Sequence, residues 1–377
     1  MNAEFNDLRP YTDLEIPAAM SRIASSSALP LLASYVFPDK PLADVQQMLR
    51  SIQTVDQFQR TIMHTVNEQI ISQSTTAFTC GGIECLSPRT PYLFVSNHRD
   101  IMLDASLLQN VLYDNGHQTS QITFGANLMT NPLVVDIGKA NKMFRVERPG
   151  GSIKDFYRSS MHLSEYIRYV ITNLKQSVWI AQRNGRTKDG NDQTDQGIIK
   201  MFCMSKADDK IAALSQLNIV PVAVSYEWEP CDILKTIELY VSRNVKYIKK
   251  PGEDLNSILT GILQPKGRVH FQFCKPITTE ELMLFNECTN NEYHKQVALL
   301  VDSRIHSSYH LWPNNYIAHD MLYGQRRFAH KYTAAEHAAF EKRLTKLERY
   351  DIDIDLDLDI LKDIFLGIYA NPVKNHQ

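Results

Sequence analysis

The chain has 377 residues, enough to bury a large core and to build two or three structural segments. Its formal net charge is −2 and 44% of its residues are hydrophobic, so composition gives no basis for nucleic-acid binding and fits an ordinary globular protein. Its six cysteines are scattered without a CxxC pair, which is typical of free thiols in a reducing compartment rather than of a disulfide framework or a zinc site.

The N-terminal part, residues 1–75, is predicted to be a helical segment. It begins without the basic region and apolar core of a signal peptide, and no run of about 18 apolar residues here or later predicts a membrane-spanning helix. Its most apolar piece is ALPLLASYVF at 28–37. This piece is predicted to pack on a neighbouring core, with an amphipathic contact to a membrane surface as the alternative.

The middle of the chain, residues 76–275, is predicted to form an α/β domain with a mixed central sheet flanked by helices. Short apolar runs bounded by Gly or Pro alternate here with longer helical patterns, as in layered α/β proteins. The predicted strands are 92–96, 122–126, 178–181, 219–226, 238–242 and 268–273, and the predicted helices between them are 102–113, 153–175 and 205–217.

The C-terminal part, residues 276–377, is again predicted to be helical. Two Thr-x-x-Glu sequences, at 278–281 and 333–336, have the spacing of capping boxes at helix starts. An alternation of Asp with Ile or Leu at 351–361 has the period of a half-buried strand and lacks the Gly of a calcium-binding loop. We interpret this segment as structural or as a tail.

The stretch LFVSNHRDIMLDASLL, residues 93–108, has the strongest chemical signal. A strand-like apolar run ends at Ser96, and His98 follows it, with Asp100 and Asp104 close to the start of a helical pattern. An imidazole held by a carboxylate can act as an oriented general base toward a hydroxyl group. The pattern therefore indicates an acyl or phosphoryl transfer that needs neither a metal nor a cofactor.

Three further blocks follow along the chain. KANKMFRVERPGG (139–151) groups Lys and Arg around a Phe, WIAQRNGRTKDGND (179–192) leads from a strand end into a basic, Gly-containing loop, and IVPVAVSYEWEP (219–230) is an apolar strand interrupted by Pro. Ligands in open α/β sheets collect at the carboxyl ends of strands, where guanidinium groups suit an anion such as phosphate. We therefore expect His98 and the loop in 179–192 to meet in one crevice.

In this order the blocks resemble the glycerolipid acyltransferase superfamily, which includes glycerol-3-phosphate and lysophosphatidate acyltransferases. Asn97-His98 begins the first block, which reads NHxxxxD in the family. GANLM…KMFRVER is similar to the second block, RNGRTKDG to the EGxR-like third block, and IVPVAV to the apolar fourth block. The resemblance extends from residue 81 to about residue 226, somewhat under half of the chain.

The first block departs from the family pattern in the position of its carboxylate. The family Asp lies five residues after the His, where this chain has Leu103, while Asp104 lies one residue later and Asp100 only two residues after the His. Neither spacing places a side-by-side pair within one regular helix, so His98 must lie in a turn before it. We favour Asp104 as its partner, since Asp100 can instead cap the helix.

The acceptor side departs from the family at two positions. Asn184 stands where the third block of the family has Glu, and Arg148 lies one residue further along the second block than the family Arg, so that Arg145 competes with it. The resemblance implies that Arg148 and Arg186 hold an acceptor phosphate. The substrate-binding residues implied in total are Asn97, Arg148, Gly185, Arg186 and Lys188, with Lys142 as a lesser candidate.

The function implied is an acyltransferase with His98 as general base and Asp104 as its carboxylate. A fatty acyl group would move from acyl-CoA or an acylated carrier protein to the hydroxyl of a glycerol phosphate or lysophospholipid, with no cofactor and no metal. Because no GxSxG sequence is present, direct transfer is expected rather than a covalent acyl-enzyme. The expected location is the cytoplasmic face of a membrane, reached peripherally.

Three other interpretations stay open at this point. Asn184 is compatible with an acyltransferase for a lyso-aminolipid without phosphate. Together with the shifted Asp, it also fits a non-catalytic lipid-binding or scaffold protein with the same fold. His306 and His310 have the spacing of one helical turn, as in a metal hydrolase, although no metalloprotease signature surrounds them.

Overall fold

The computed structural model describes residues 3–129, 131–147, 152–349 and 357–376, and these residues build one central sheet with helices around it. Seven strands pair into this sheet within the described ranges. They are β1 (Thr75–Gly81), β2 (Leu93–Ser96), β3 (Gln121–Gly125), β4 (Met143–Val146), β5 (Val178–Ala181), β6 (Ile219–Tyr226) and β7 (Gly267–Phe273).

Helices precede, separate and follow the strands. Those before β1 are α1 (Ile16–Ala24), α2 (Leu29–Val36), α3 (Leu42–Ser51), α4 (Val55–Phe58) and α5 (His64–Ser74). Those between the strands are α6 (Leu103–Asp114), α7 (Pro132–Ala140), α8 (Ile153–Thr172), α9 (Gln196–Met204), α10 (Lys210–Ser215), α11 (Asp232–Ser242) and α12 (Glu253–Leu263). Those after β7 are α13 (Thr279–Met283), α14 (Asn290–Ser307), α15 (Pro313–Leu322), α16 (Ala334–Leu344) and α17 (Leu358–His376).

The sheet is mixed, with the strand order β1-β7-β6-β2-β5-β3-β4. The five strands from β6 to β4 are parallel neighbours, whereas β7 is antiparallel to β6 and parallel to β1. The carboxyl ends of five adjacent strands therefore meet at one edge, where ligands collect in such folds. The predicted fold class, a mixed α/β sheet with helical segments at both ends of the chain, is confirmed.

Alternate side chains of the central strands enter two separate cores. Leu93 and Val95 of β2 face the core built with α8, α9 and α14, whereas Phe94 between them faces the core built with α5 and α6. This period of two is expected of strands that are covered by helices on both faces. The position of a residue along a strand therefore decides on which side of the sheet its side chain lies.

Several strand predictions were wrong or missing. Residues 238–242 form the end of α11 and not a strand, because Ile237 packs inward as part of a helical run that begins at Asp232. β1 and β4 were not predicted, since TTAFTCG is largely polar and MFRV is short. Of the alternating Asp segment, residues 351–356 lie outside the described part of the chain, and residues 358–361 are helical, so the strand interpretation is wrong there.

The helix predictions agree better with the structure. The patterns at 102–113 and 153–175 correspond to α6 and α8, whereas the one at 205–217 shrinks to α10. Both capping boxes are present, at the starts of α13 and α16. Helical periodicity and caps are local signals, so they survive in the folded chain.

The N-terminal helices are attached to the β4 edge of the sheet. The backbone N–H of Arg145 donates to the carbonyl oxygen of Leu8 at 3.1 Å, and Arg22 of α1 forms an ion pair with Asp136 of α7 at 2.6 Å. The division of the chain at residues 75 and 275 stays a prediction. None of the described helices combines the length and the apolar character needed to cross a bilayer.

Candidate active site

The chain leaves β2 at Ser96 and makes a turn before α6 begins at Leu103. His98 lies in this turn and Asp104 in the first turn of α6, with Nδ1 of His98 2.9 Å from Oδ2 of Asp104. Because the pair spans a turn and not a regular helix, side chains six positions apart can meet. Asp104, rather than Asp100, is the carboxylate beside the imidazole.

Asp104 is fully buried, and both of its carboxylate oxygens accept hydrogen bonds. Oδ2 also accepts the backbone N–H groups of Arg99 and Asp100, at 2.6 and 2.9 Å. Oδ1 accepts the hydroxyl of Tyr226 in β6 at 2.8 Å. These bonds hold the carboxylate toward Nδ1 of His98, so that Nε2 is the ring nitrogen left for a ligand.

The His98 ring is also held from the neighbouring strand β5. The indole of Trp179 makes an edge contact with the imidazole, with ring centroids 5.5 Å apart and an interplanar angle of 71°. The indole is itself fixed, because its Nε1 donates to Oγ of Ser96 at 3.0 Å. The imidazole therefore has a carboxylate on one side and an aromatic edge on another, which restricts its rotamer.

Asp100 has the capping role that the sequence allowed. Its Oδ1 accepts the N–H groups of Met102 and Leu103, both at 2.9 Å, where α6 begins. Its Oδ2 is buried without a hydrogen-bond partner among the described residues. Burial, together with the neighbouring Asp104, raises the pKa of Asp100. Asp100 therefore shapes the turn, while Asp104 orients the imidazole.

The loop after β5 meets the turn after β2, as expected of adjacent parallel strands. The backbone N–H of Thr187 donates to the carbonyl oxygen of His98 at 2.7 Å. Gly185 has a φ of 76°, in the left-handed region that favours glycine, and the space where a Cβ would stand is open. Nη1 of Arg186 is buried and has no hydrogen-bond partner in the described ranges, which leaves it available to an anionic ligand.

Three other residues expected at the substrate are placed differently. Asn97 is fully buried and joins β2 to β6 through two hydrogen bonds with the backbone of Val224, at 2.7 and 3.0 Å, and its contact with substrate stays a prediction. Lys188 forms an ion pair with Glu238 of α11, which already compensates its charge. Arg148 lies outside the described residues.

In the block at 139–151, the basic residues Lys142 and Arg145, which the structure describes, do not meet at one site. Lys142 precedes β4 and so lies at the amino end of that strand, where its ammonium group donates to the carbonyl and hydroxyl oxygens of Thr119, at 3.2 and 2.7 Å. Arg145 is exposed and pairs with Glu147 at 2.7 Å. The length of β4 separates Lys142 from the carboxyl edge, and its substrate contact stays a prediction.

A cavity of about 690 Å³ opens at the carboxyl edge and reaches His98. Its apolar walls come mainly from β3, β4, α8 and α9, with Ile122, Phe124, Leu128, Met143, Leu163 and Met201. Its cationic lining consists of Arg183, Arg186, Lys188 and Lys249. Lys188 and Lys249 pair with carboxylates, whereas Arg183 and Arg186 form no ion pair with any described residue. The charge available to an anion is thus concentrated on the two arginines.

Behind the His98 turn lies a buried group of four charges. Arg99 donates to Asp192 at 2.6 Å and to Glu229 at 3.3 Å, and Lys235 donates to Glu229 and to the carbonyl oxygen of Arg99, both at 2.6 Å. Burial alone favours a neutral acid, but the Arg99 guanidinium holds the pKa of Asp192 below its ordinary value. The sequence did not indicate this group, because its members come from the turn, the loop after β5 and the region of α11.

His306 and His310 do not form the metal pair that their spacing allowed. Helix α14 ends at Ser307, so His310 lies beyond it, with its ring against Trp312 at a centroid distance of 4.0 Å. Nε2 of His306 lies 2.6 Å from the carbonyl oxygen of Asp192. The helical geometry behind the metal-hydrolase interpretation is wrong.

The comparison with protein families gives the class of this site. Residues 77–225 match the family model described as Acyltransferase. The matched span contains His98, Asp104 and the glycine-containing loop after β5, and the predicted resemblance to the glycerolipid acyltransferase superfamily is confirmed. Residues 77–225 are thus similar to this family, and acyl transfer is the class of reaction that the family name denotes.

A comparison with solved structures matches the chain to the crystal structure of the 1-acyl-sn-glycerophosphate (LPA) acyltransferase PlsC from Thermotoga maritima. The two chains share 13% sequence identity with a TM-score of 0.36, over 77% of this chain and 95% of that chain. No curated protein matches the sequence.

Proposed function

We propose that the protein moves a fatty acyl group from a CoA or acyl-carrier thioester to the hydroxyl of a glycerol phosphate or lysophospholipid. The observation that carries this proposal is the His98–Asp104 pair, 2.9 Å apart at the wall of a cavity of about 690 Å³. A base, a carboxylate that orients it and a partly apolar cavity are the parts that direct acyl transfer requires.

In the proposed reaction, Nε2 of neutral His98 accepts the proton of the acceptor hydroxyl while the oxygen attacks the thioester carbonyl carbon. A C–O bond forms, and the tetrahedral intermediate then collapses with cleavage of the C–S bond. The departing thiolate takes the proton back from the imidazolium, so the protein returns to its starting state. Asp104 holds the tautomer with a proton on Nδ1 and stabilises the imidazolium while it exists.

The acceptor end of the cavity supports a phosphate-bearing substrate. Arg186 supplies a guanidinium nitrogen without a protein partner in the described ranges, and Gly185 lets the loop backbone approach a ligand. Asn184, which also lines the cavity, brings no charge of its own. The apolar walls from β3 and β4 form a site for the acyl chain. We further propose that the protein binds peripherally to the cytoplasmic face of a membrane, where it meets its lipid substrates.

Purified protein incubated with labelled acyl-CoA or acyl-carrier thioesters tests the proposal, with lysophosphatidate, glycerol phosphate and a lyso-aminolipid as separate acceptors. We expect a labelled lipid from at least one phosphate acceptor. His98→Ala should lower the rate by about 10²–10⁴-fold, because general-base assistance is lost, while unfolding stays cooperative. His337→Ala, at a partly exposed histidine of α16 that does not line the cavity, is the matched control and should keep the wild-type rate.

The acceptor panel separates the remaining interpretations. If folded wild-type protein transfers no acyl group to any acceptor, the proposal fails and a non-catalytic lipid-binding role is favoured. Transfer to the lyso-aminolipid that glycerol phosphate does not inhibit would keep the reaction class and replace the acceptor.

A further inference from the structure

Helix α12 presents a row of leucines to the solvent, while Ile262 packs against the core around α5 and α6. Leu255, Leu259 and Leu263 recur every fourth residue and are 58%, 48% and 61% exposed, whereas Ser257 and Gly261 on the opposite face are buried. A surface helix ordinarily turns its apolar stripe toward the core. The exposed leucine row on α12 therefore points to a partner outside the described chain.

The contacts of the buried face fix this orientation. A Cβ on Gly261 would lie 2.1 Å from Oδ2 of the buried Asp100, in the turn after β2. One turn earlier, the carbonyl oxygen of Ser257 accepts the thiol of Cys231 at 3.2 Å. A leucine on this face would displace the turn that carries His98. The active site therefore requires small residues on the inner face of α12, which keeps the leucines outside.

The segment that leads into α12 adds positive charge and more apolar surface. Residues 243–250, RNVKYIKK, contain four cationic side chains and no anionic one. The lysines are exposed, Lys249 pairs with Asp254, and Ile248 between them is 82% exposed. Cations interleaved with apolar side chains, next to an exposed leucine stripe, suit the interface of a bilayer that contains anionic lipids.

This surface adjoins the mouth of the cavity that contains His98. Lys249 and Asp254 line the cavity from the α12 side. Phe156 in the first turn of α8 lines it as well and is half-exposed, one turn after the exposed Ile153. A lipid surface in contact with α12 would therefore lie at the opening through which substrates reach the imidazole.

We propose that Leu255, Leu259 and Leu263, together with residues 243–250, dock the protein on an anionic phospholipid surface with the cavity mouth toward the lipid. The purpose of this docking rests on the proposed function, since a lipid acceptor could then enter the cavity without crossing water. The binding itself requires no catalysis. The negative charge of the lipid complements the cationic segment. A second copy of this chain, with a net charge of only −2, would complement it less well.

Co-sedimentation with vesicles tests this surface on the full chain. The vesicles contain either phosphatidylcholine alone or equal parts of phosphatidylcholine and phosphatidylglycerol. A triple variant, Leu255→Gln with Leu259→Gln and Leu263→Gln, should bind the mixed vesicles at least about tenfold more weakly than wild type. The double variant Lys246→Gln with Lys250→Gln should lose most of the preference for mixed vesicles and its salt dependence.

Matched controls use exposed leucines elsewhere. Leu284→Gln with Leu299→Gln, in the region of α13 and α14, should bind vesicles as wild type does. Leu31→Gln tests α2, the apolar helix for which the sequence allowed a membrane contact, and should also leave binding unchanged. Circular dichroism checks that each variant is folded.

Three results would overturn the docking proposal. These are a wild type that binds neither vesicle, a triple variant that binds as wild type does, and a loss of binding that follows Leu31→Gln instead. Sedimentation velocity without lipid could give a fourth such result: wild type is a dimer, the triple variant is a monomer, and this is the only difference between them. Acyl transfer to a detergent-dispersed acceptor should persist in the triple variant. If wild type fails that assay but binds vesicles as expected, the proposed function falls and the docking surface stands.

Discussion

The Tyr226 hydroxyl donates to the oxygen of Asp104 that His98 does not use, at 2.8 Å. Burial, together with the nearby Asp104 and Asp100 carboxylates, raises the pKa of Tyr226 well above its ordinary value, so the phenol stays a donor. Without this donor, Oδ1 would be buried and unsatisfied, and the carboxylate would be held less firmly beside the imidazole. We interpret Tyr226 as a positioning residue that acts on His98 through Asp104.

Tyr226→Phe is expected to lower kcat by about 3- to 10-fold with little change in KM. The reason is that about 1 kcal/mol of hydrogen bonding to the His98–Asp104 pair is removed. The loss should fall on kcat and not on KM, since the imidazole is oriented less well while the contacts with substrate are unchanged. Tyr309→Phe is the control, because Tyr309 donates to Asp192 at 2.5 Å. Tyr309→Phe should lose stability without this loss of kcat, and an unchanged kcat in Tyr226→Phe would refute the positioning role.

A separate prediction concerns Arg186 and the acceptor. A charge-assisted hydrogen bond to phosphate contributes about 1.5–3 kcal/mol, so Arg186→Gln should raise the KM of a phosphate acceptor by about 10- to 100-fold and leave the KM of the thioester nearly unchanged. Lys188→Gln is the matched control, because Glu238 already pairs with that lysine. Equal increases in both KM values for Arg186→Gln would show that the arginine does not hold the acceptor phosphate.

At the amino end of β4, Lys142 holds a positive φ of 58° and donates its ammonium protons to Thr119. Burial lowers its pKa from 10.5 to about 8. Between about pH 8 and 10.5 the unfolded chain therefore binds a proton that the folded chain has released. The free energy of unfolding therefore increases with pH across this window, by at most about 1.4 kcal/mol per pH unit. Below the window, the titration of this lysine does not affect it.

Lys142→Met removes this titration. Urea unfolding at several pH values measures the unfolding free energy of wild type and variant. Above about pH 8, the unfolding free energy of wild type should rise relative to that of the variant. Below about pH 8, the difference between the two should be constant. Lys175→Met, at an exposed lysine with a φ of 54°, controls for replacing a lysine at positive φ. If the difference in unfolding free energy stays constant over the whole pH range, Lys142 keeps its proton in the folded protein.

Across the whole molecule, the last helix supports the loop that carries Arg186. The Asn371 side chain in α17 donates to the carbonyl oxygen of Asp189 at 2.7 Å. Gly190 has a φ of 74°, and a Cβ there would lie 2.0 Å from the carbonyl oxygen of Ile368. The family match ends at residue 225, so a helix outside the matched segment fixes the backbone of the loop that carries Arg186.

Gly190→Ala is expected to destabilise the protein by about 2–4 kcal/mol and to raise the acceptor KM, because both the positive φ and a backbone clash must be relieved. Gly116→Ala, at a φ of 76° with open space around the Cβ position, carries only the conformational cost of about 1 kcal/mol. Chemical unfolding and amide hydrogen exchange in α17 measure the two effects. Similar costs for both variants would mean that α17 and the loop are not coupled.

The sequence alone determined the features that depend on neighbours in the chain. Apolar runs with a period of two and helical runs with a longer period predicted the α/β class, and the strand–turn–helix around His98 predicted the base. The order of the four blocks predicted the acyltransferase resemblance. The prediction at 238–242 was wrong because composition favoured a strand where packing on one face required a helix.

Only the tertiary structure decided the contacts that depend on which strands are adjacent. β2 lies between β5 and β6, so Tyr226 meets Asp104 across 122 positions of the chain, and the β5 loop brings Arg186 to the turn of His98. The outward leucines of α12 follow from Asp100 occupying the space beside Gly261. Local periodicity carries no information on strand order or on the filling of space, which are set by the packing of distant segments.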